Sequence, residues 1–140
     1  MTIHLKFSLT LLVALVGWTA RADLSSSDQE ALRKTQELLR NQQQREKYMK
    51  ESPDARANHQ QLEKLTGNKQ TTDSVYGLSA EIFAEIAKDT NGDPVLMQQK
   101  LMEAQKNPEA FLKSLPAQHR KAIEEIAGRI NSNRGPSGKP

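Results

Sequence analysis

The chain lacks several features that would define its chemistry directly. It contains no cysteine, so disulfide-stabilised scaffolds and zinc sites with thiolate ligands are excluded. Aromatic residues make up only 4% of the sequence, and its single tryptophan is Trp18. The excess of basic over acidic residues is also small, because 20 basic residues are balanced by 17 acidic ones to leave a formal net charge of +3. So small an excess does not indicate nucleic-acid binding.

Long apolar runs are absent except at the N-terminus. There Lys6 precedes the uncharged segment FSLTLLVALVGW (7–18), and small residues follow at Ala20 and Ala22. A basic start, an apolar segment and a small-residue cleavage site form the pattern of a secretory signal. The apolar stretch is shorter than the roughly 20 residues that a membrane-spanning helix needs. We therefore expect residues 1–22 to be removed, leaving a periplasmic or secreted protein without an integral membrane span.

The remaining chain divides into two unlike halves. Residues 23–70 are rich in glutamine and poor in large apolar groups. Opposite charges spaced four residues apart predict a polar helix from Asp28 to about Glu51. A second helix is expected from Pro53, because proline suits the first position of a helix. We predict that residues 23–70 form a polar helical arm.

Residues 71–131 hold most of the large apolar side chains and are predicted to form a compact helical domain. Asp73 is expected to cap a helix that runs to about Lys88. Its apolar residues surround most of its circumference, which is typical of a buried helix. Three further helices are expected to begin at prolines, namely Pro94, Pro108 and Pro116.

The fold class that these patterns predict is all-α. We expect a small bundle of five or six short helices, because no run of the sequence alternates as a strand does. The polar arm would precede the bundle. Residues 132–140 are rich in glycine, proline and serine and are expected to be a disordered tail.

No arrangement of residues in the sequence predicts catalysis, a cofactor or a metal. A calcium loop starting at Asp89 would need glycine at its sixth position and glutamate at its twelfth, and these positions hold Pro94 and Lys100. His59 and His119 are too far apart in sequence to form a helical metal-binding pair. Phosphate loops and Ser/His/Asp spacings are also missing. We therefore expect a non-enzymatic protein with no cofactor and no metal.

The first candidate for a binding surface is a thin apolar stripe on the polar arm. It consists of Leu32, Leu38, Leu39 and Met49. A helix with so narrow a stripe is not stable alone, so the stripe needs an apolar partner. A protein partner or self-association would supply one, and docking on the chain's own core would do so equally.

The alternative candidate is a basic surface at the end of the chain. Its cations are Arg120, Lys121, Arg129 and Arg134. A basic amphipathic helix can lie on an anionic membrane or polymer surface, although the same residues are typical of a solvated helix face. We predict an exported helical protein that binds another macromolecule in the periplasm or outside the cell. The first hypothesis is a protein partner, and the alternative is peripheral contact with an anionic envelope surface.

Overall fold

The structure, a computed structural model, describes residues 28–133. The predicted signal peptide and residues 134–140 of the predicted tail lie outside this range. Within it the chain forms seven helices and no strand, which confirms the all-α class. None of these helices is both long and apolar enough to cross a membrane. They are α1 (Asp28–Arg40), α2 (Gln42–Glu51), α3 (Pro53–Thr66), α4 (Lys69–Asp89), α5 (Pro94–Lys106), α6 (Pro108–Ser114) and α7 (Ala117–Asn133).

The proline-headed helix starts predicted for α3, α5 and α6 are confirmed. In each case the preceding side chain accepts hydrogen bonds from N–H groups of the first helical turn. These capping residues are Ser52, Asp93 and Asn107. Such N–H groups have no partner inside the helix, so local sequence alone sets these three boundaries.

The prediction of a single helix over residues 28–51 is wrong, because the helix is interrupted at Asn41. The Asn41 side-chain oxygen accepts from the N–H groups of Gln43 (3.0 Å) and of the residue after it (3.3 Å). The Arg45 guanidinium donates to the Leu39 carbonyl at 2.7 Å. These two side chains satisfy backbone groups at the end of α1 and the start of α2. The break at Asn41 raises the number of helices to seven.

The central helix α4 begins at Lys69, earlier than the predicted cap at Asp73. Its N-cap is Asn68, whose side-chain oxygen accepts from the Thr71 N–H at 2.8 Å. Thr72 is buried in this first turn, and its hydroxyl donates to the Asn68 carbonyl at 2.9 Å. Because that hydroxyl is satisfied within the helix, a polar side chain can be buried there. The helix therefore gains an additional turn at its start.

The prediction that this helix forms the centre of the domain is confirmed. α4 packs against α1, α3, α5 and α7, and ten of its 21 residues are buried. Its apolar side chains form the middle of one hydrophobic core. A helix that is buried around most of its circumference must be covered by other elements on several sides, and the surrounding helices provide that cover.

The predicted arm and the predicted compact domain share this core. Leu39 of α1 and Leu62 of α3 are 3% and 1% exposed, and both cluster with buried residues of α4 and α7. Leu32 packs against the same core near the turn after α4. Its Cδ1 would lie 3.2 Å from a Cβ atom added at Gly92. In this structure, therefore, α1 and α3 are packed on the chain's own core.

The last helix extends into the segment predicted to be a tail. Ser132 and Asn133 belong to α7, and the Asn133 side-chain amide donates to the Thr66 carbonyl at 2.9 Å. That carbonyl lies at the end of α3, where no intrahelical donor remains for it. The prediction of a tail over residues 132–140 is thus wrong for its first two residues.

Candidate binding cleft

A cleft of about 610 Å³ lies where α4, α5 and α6 meet. Its apolar floor is formed by Ile86 of α4, Phe111 of α6 and Leu115, which follows α6. Ile86 and Leu115 are buried, whereas Phe111 is half-buried, so its ring is still partly accessible. The volume falls within the range of about 300–1,000 Å³ that is typical of ligand sites.

Short connections and a short helix create the space for this cleft. The Thr90 hydroxyl donates to the Ile86 carbonyl at 2.7 Å, which closes the end of α4. Gly92 has a φ of +72°, a conformation that favours glycine after a helix, and Asp93 then caps α5. The helix α6 is only seven residues long and has no fully buried residue. It covers part of the space between α4 and α5 and leaves the remainder open.

Charged side chains border the cleft, and they are Glu85, Asp89, Lys100, Glu103 and Lys106. The Lys100 ammonium lies 3.0 Å from the Asp89 carboxylate, an ion pair that joins α5 to the end of α4. The carboxylates of Glu85 and Glu103 make no ion pair or hydrogen bond with any residue in the range 28–133. An apolar floor is therefore combined with two unpaired carboxylates, one from α4 and one from α5.

The helix α5 carries three of the four exposed large apolar side chains among the described residues. Val95, Leu96 and Met102 are 59%, 46% and 47% exposed. Val95 and Met102 are seven residues apart and therefore share one helix face. Leu96 precedes Lys100 by four residues and Glu103 by seven, so it lies on the side of α5 that borders the cleft. At about 3.6 residues per turn, Leu96 lies a little over a quarter turn around the helix from Val95 and Met102. We use the name apolar face of α5 for these three exposed residues together.

The stripe predicted to bind a partner does not line this cleft. Leu39 is in the core, and Leu32 packs against it. Leu38 and Met49 are half-buried. In this conformation a partner can reach Leu38 and Met49 but not Leu39.

The basic residues predicted to contact an anionic surface alternate with acidic ones in the described part of α7. Arg120 is half-buried, and its guanidinium donates to a backbone carbonyl at 3.3 Å. Lys121 and Arg129 are exposed, and Glu125 lies four residues from each of them on the same side of the helix. Arg134 lies outside the described residues. The described cations therefore do not by themselves favour an anionic partner.

A polar cluster joins α2, α3 and α4 around Tyr76. The Arg45 guanidinium lies 4.2 Å from the centre of the Tyr76 ring and 2.9 Å from the Asp73 carboxylate. The Tyr76 hydroxyl is 2.8 Å from His59 Nδ1, and His59 Nε2 is 3.4 Å from the Glu63 carboxylate. Burial raises the pKa of Tyr76 to about 12, and the Arg45 guanidinium opposes that rise only in part. The phenol therefore stays protonated at neutral pH and acts as a hydrogen-bonding group instead of a nucleophile.

The two histidines of the described chain occupy separate sites. His59 belongs to the cluster around Tyr76, whereas His119 of α7 is buried with its Nδ1 3.4 Å from the Glu81 carboxylate of α4. Within residues 28–133, no group of three or more metal-ligating side chains is placed to hold a metal ion. The histidines therefore serve contacts between helices in this structure.

The sequence did not predict the apolar face of α5, because every apolar residue of that helix resembled a core residue. Met97 and Leu101 are four residues apart and are buried, as a single core-facing side requires. Val95 and Met102 lie on the opposite side of the helix. Two apolar sides on one helix are a signal that could have indicated a binding surface. The cleft depends on the relative placement of three helices, for which the sequence has no local pattern.

The chemistry of the cleft suits the binding of a side chain. Its floor favours the burial of an apolar group, and its unpaired carboxylates can accept hydrogen bonds from a cation. Leu96 of α5 adds apolar surface on the side of the helix that borders the cleft. The chain matches no protein-family model, no curated protein and no solved structure.

Proposed function

We propose that the protein is exported and binds a segment of another protein, without catalysing a reaction, in the periplasm or outside the cell. The observation that carries this proposal is the apolar face of α5, of which Leu96 lies on the side of the helix that borders the cleft. Single exposed apolar residues are normal on protein surfaces. Here, however, three large ones are exposed on one 13-residue helix, and other residues of the same helix line the cleft. Apolar surface that borders a concave site is a feature of interaction sites.

Binding at this site would remove the apolar face of α5 from water. A large apolar side chain contributes about 1.5–3 kcal/mol when it is fully buried. Because Val95, Leu96 and Met102 are already about half-buried, roughly half of that value remains to be gained at each. Together they therefore offset only part of the cost of about 4–15 kcal/mol for ordering two molecules in a complex. Contacts in the cleft would supply the rest, so we expect a reversible complex of modest affinity.

Export is proposed from the sequence of residues 1–22, which lie outside the described structure. If a signal peptidase cleaves after Ala22, the protein recovered from the periplasm or the medium should begin at Asp23. Intact-mass measurement checks this directly. A mass that still includes Trp18, together with tryptophan fluorescence, would overturn the proposed export signal.

Site-specific photo-crosslinking in the cells that produce the protein tests the binding site. A photoreactive amino acid is introduced in place of Met102 on the apolar face of α5. The matched control carries it in place of Gln61, which is exposed on α3. We expect a discrete protein adduct at Met102 and none at Gln61. Adducts of equal yield at both positions, or no protein adduct at Met102, would overturn the proposal.

The same method tests the two surfaces predicted from the sequence. The photoreactive residue is placed at Met49 for the apolar stripe and at Lys121 for the basic surface. A protein adduct from Met49 alone would move the binding site to α2. If adduct formation at Lys121 instead falls steeply as ionic strength rises, the result would support the anionic envelope surface as the partner. We expect attachment through Met102 to depend little on salt, because burial of apolar surface dominates there.

A further inference from the structure

The charges around the cleft indicate the chemistry of the segment that it binds. We propose that the cleft takes a large apolar side chain adjacent to a lysine or arginine in the partner segment. This inference rests on the proposed function, since it specifies the partner of that same site. The floor of the cleft contacts the apolar side chain, and the carboxylates of Glu85 and Glu103 bind the cation.

The apolar part of the cleft is open to an incoming side chain. Of the three residues that form its floor, Ile86 and Leu115 are buried, and the ring of Phe111 is still partly accessible. Ala110 also lines the cleft and is exposed, and its side chain is only a methyl group. A leucine-sized group that enters here displaces water from apolar surface, which is favourable in proportion to the area buried.

Charge complementarity selects a cation as the second group. Asp89 and Lys100 neutralise each other in their ion pair. Of the other charged residues, Glu85 and Glu103 are carboxylates and Lys106 is the only cation, so the border of the cleft has one excess negative charge. Glu85 is half-buried, and charges in such positions are screened less than fully exposed ones. Its carboxylate gains a charge-assisted hydrogen bond when a lysine or arginine binds.

NMR spectroscopy of the ¹⁵N-labelled full-length protein with four short peptides tests this inference. The probe acetyl-Gly-Leu-Arg-Gly-amide carries both groups. Its arginine is replaced by norleucine in the second peptide and by glutamate in the third, and its leucine is replaced by serine in the fourth. We expect the probe to shift the amide resonances of Glu85, Glu103 and Phe111. Each altered peptide should bind at least about threefold more weakly, in keeping with the loss of one partly exposed ion pair or apolar contact.

A pair of charge variants assigns the effect to the cleft. Glu85→Gln combined with Glu103→Gln removes both carboxylates and keeps the size of the side chains. Glu124→Gln combined with Glu125→Gln makes the same change in net charge on the exposed side of α7. Only the first double variant should bind the probe at least about threefold more weakly, and it should no longer distinguish the probe from the norleucine peptide. An equal loss in the second double variant would overturn the assignment.

Several results would overturn the inference without affecting the proposed function. They are equal binding of all four peptides, preference for the glutamate peptide, shifts confined to other helices, and no shift at millimolar concentration. The amide resonances of Glu85, Glu103 and Phe111 could instead shift with protein concentration in the absence of peptide. That result would show that the cleft binds a second copy of the chain, and it would also overturn the inference. If any of these results accompanies a specific adduct at Met102, protein binding by α5 stands and only the proposed partner chemistry fails.

Discussion

Tyr76 is a single buried residue whose ionisation links stability to pH. Burial raises the pKa of its phenol from 10.0 to about 12 in the folded protein, so the folded state holds the proton more tightly than the unfolded chain. The resulting stabilisation is fully present below about pH 10 and is lost as the pH rises through about 12. Between about pH 9 and 12, the free energy of unfolding should therefore fall by about 2 kcal/mol more in the unaltered protein than in Tyr76→Phe. Urea unfolding across this pH range measures the difference.

The control for this experiment is Tyr48→Phe, which removes a phenol hydroxyl from a residue that is 38% exposed. This variant should show the same alkaline loss of stability as the unaltered protein, because Tyr76 is intact. Lysine side chains also titrate in this range, and the comparison between variants cancels their contribution. Parallel pH curves for Tyr76→Phe and the unaltered protein would contradict the prediction.

Two adjacent leucines of α1 have different environments and should differ in their contributions to stability. Leu39 lies in the core, whereas Leu38 is half-buried. Leu39→Ala should lower the free energy of unfolding by about 2–5 kcal/mol, as truncation of a buried leucine does. Leu38→Ala should cost clearly less, because less apolar surface is removed from burial. Small and similar losses in urea unfolding at both positions would contradict a core shared by α1 and α4.

At the level of elements, the cap at Asn41 should determine whether α1 and α2 fold as two helices. Asn41→Ala removes the side-chain acceptor of two N–H groups and should cost about 0.5–2 kcal/mol. Asn41→Ser is the matched control, since serine caps helices nearly as well as asparagine. Thermal unfolding followed by circular dichroism measures both variants. Equal destabilisation by alanine and serine would show that the cap contributes little.

The boundaries of the elements were predictable where a local signal alone decides them. Asp93 and Asn107 each precede a proline, and the caps observed there follow from the sequence. The break at Asn41 also depends on the hydrogen bond from Arg45 to the end of α1, a contact that charge pairs spaced along a helix do not reveal. The start of α4 at Lys69 depends on burial of threonines, which are weak helix formers. In the first case side-chain hydrogen bonds to the backbone, and in the second the burial of polar side chains, overrode the expected pattern.

The site is less predictable from the sequence than the fold, because the same apolar pattern can serve the core or a partner. Leu39 and Met102 illustrate the two outcomes. Leu39 belongs to a thin stripe on a polar helix and yet is buried in the core, whereas Met102 belongs to the apolar-rich half and is exposed. Which of them is covered depends on how α1 and α5 pack around α4. Sequence periodicity therefore predicted the class of fold but not the surface available for binding.

For the whole molecule, a chain that starts at Thr71 should fail to fold. It lacks α1, α2 and α3 and with them Leu39, Ala55 and Leu62, all of which are buried. Loss of each of these buried side chains lowers the free energy of unfolding by about 1–5 kcal/mol. The three losses together are comparable with the total stability of a domain, about 5–15 kcal/mol. We expect reduced helicity and no cooperative thermal transition, measured by circular dichroism beside the protein starting at Asp23. A transition with an unchanged midpoint would instead make residues 23–70 a separable arm, and its apolar stripe would again be the stronger candidate for binding a partner.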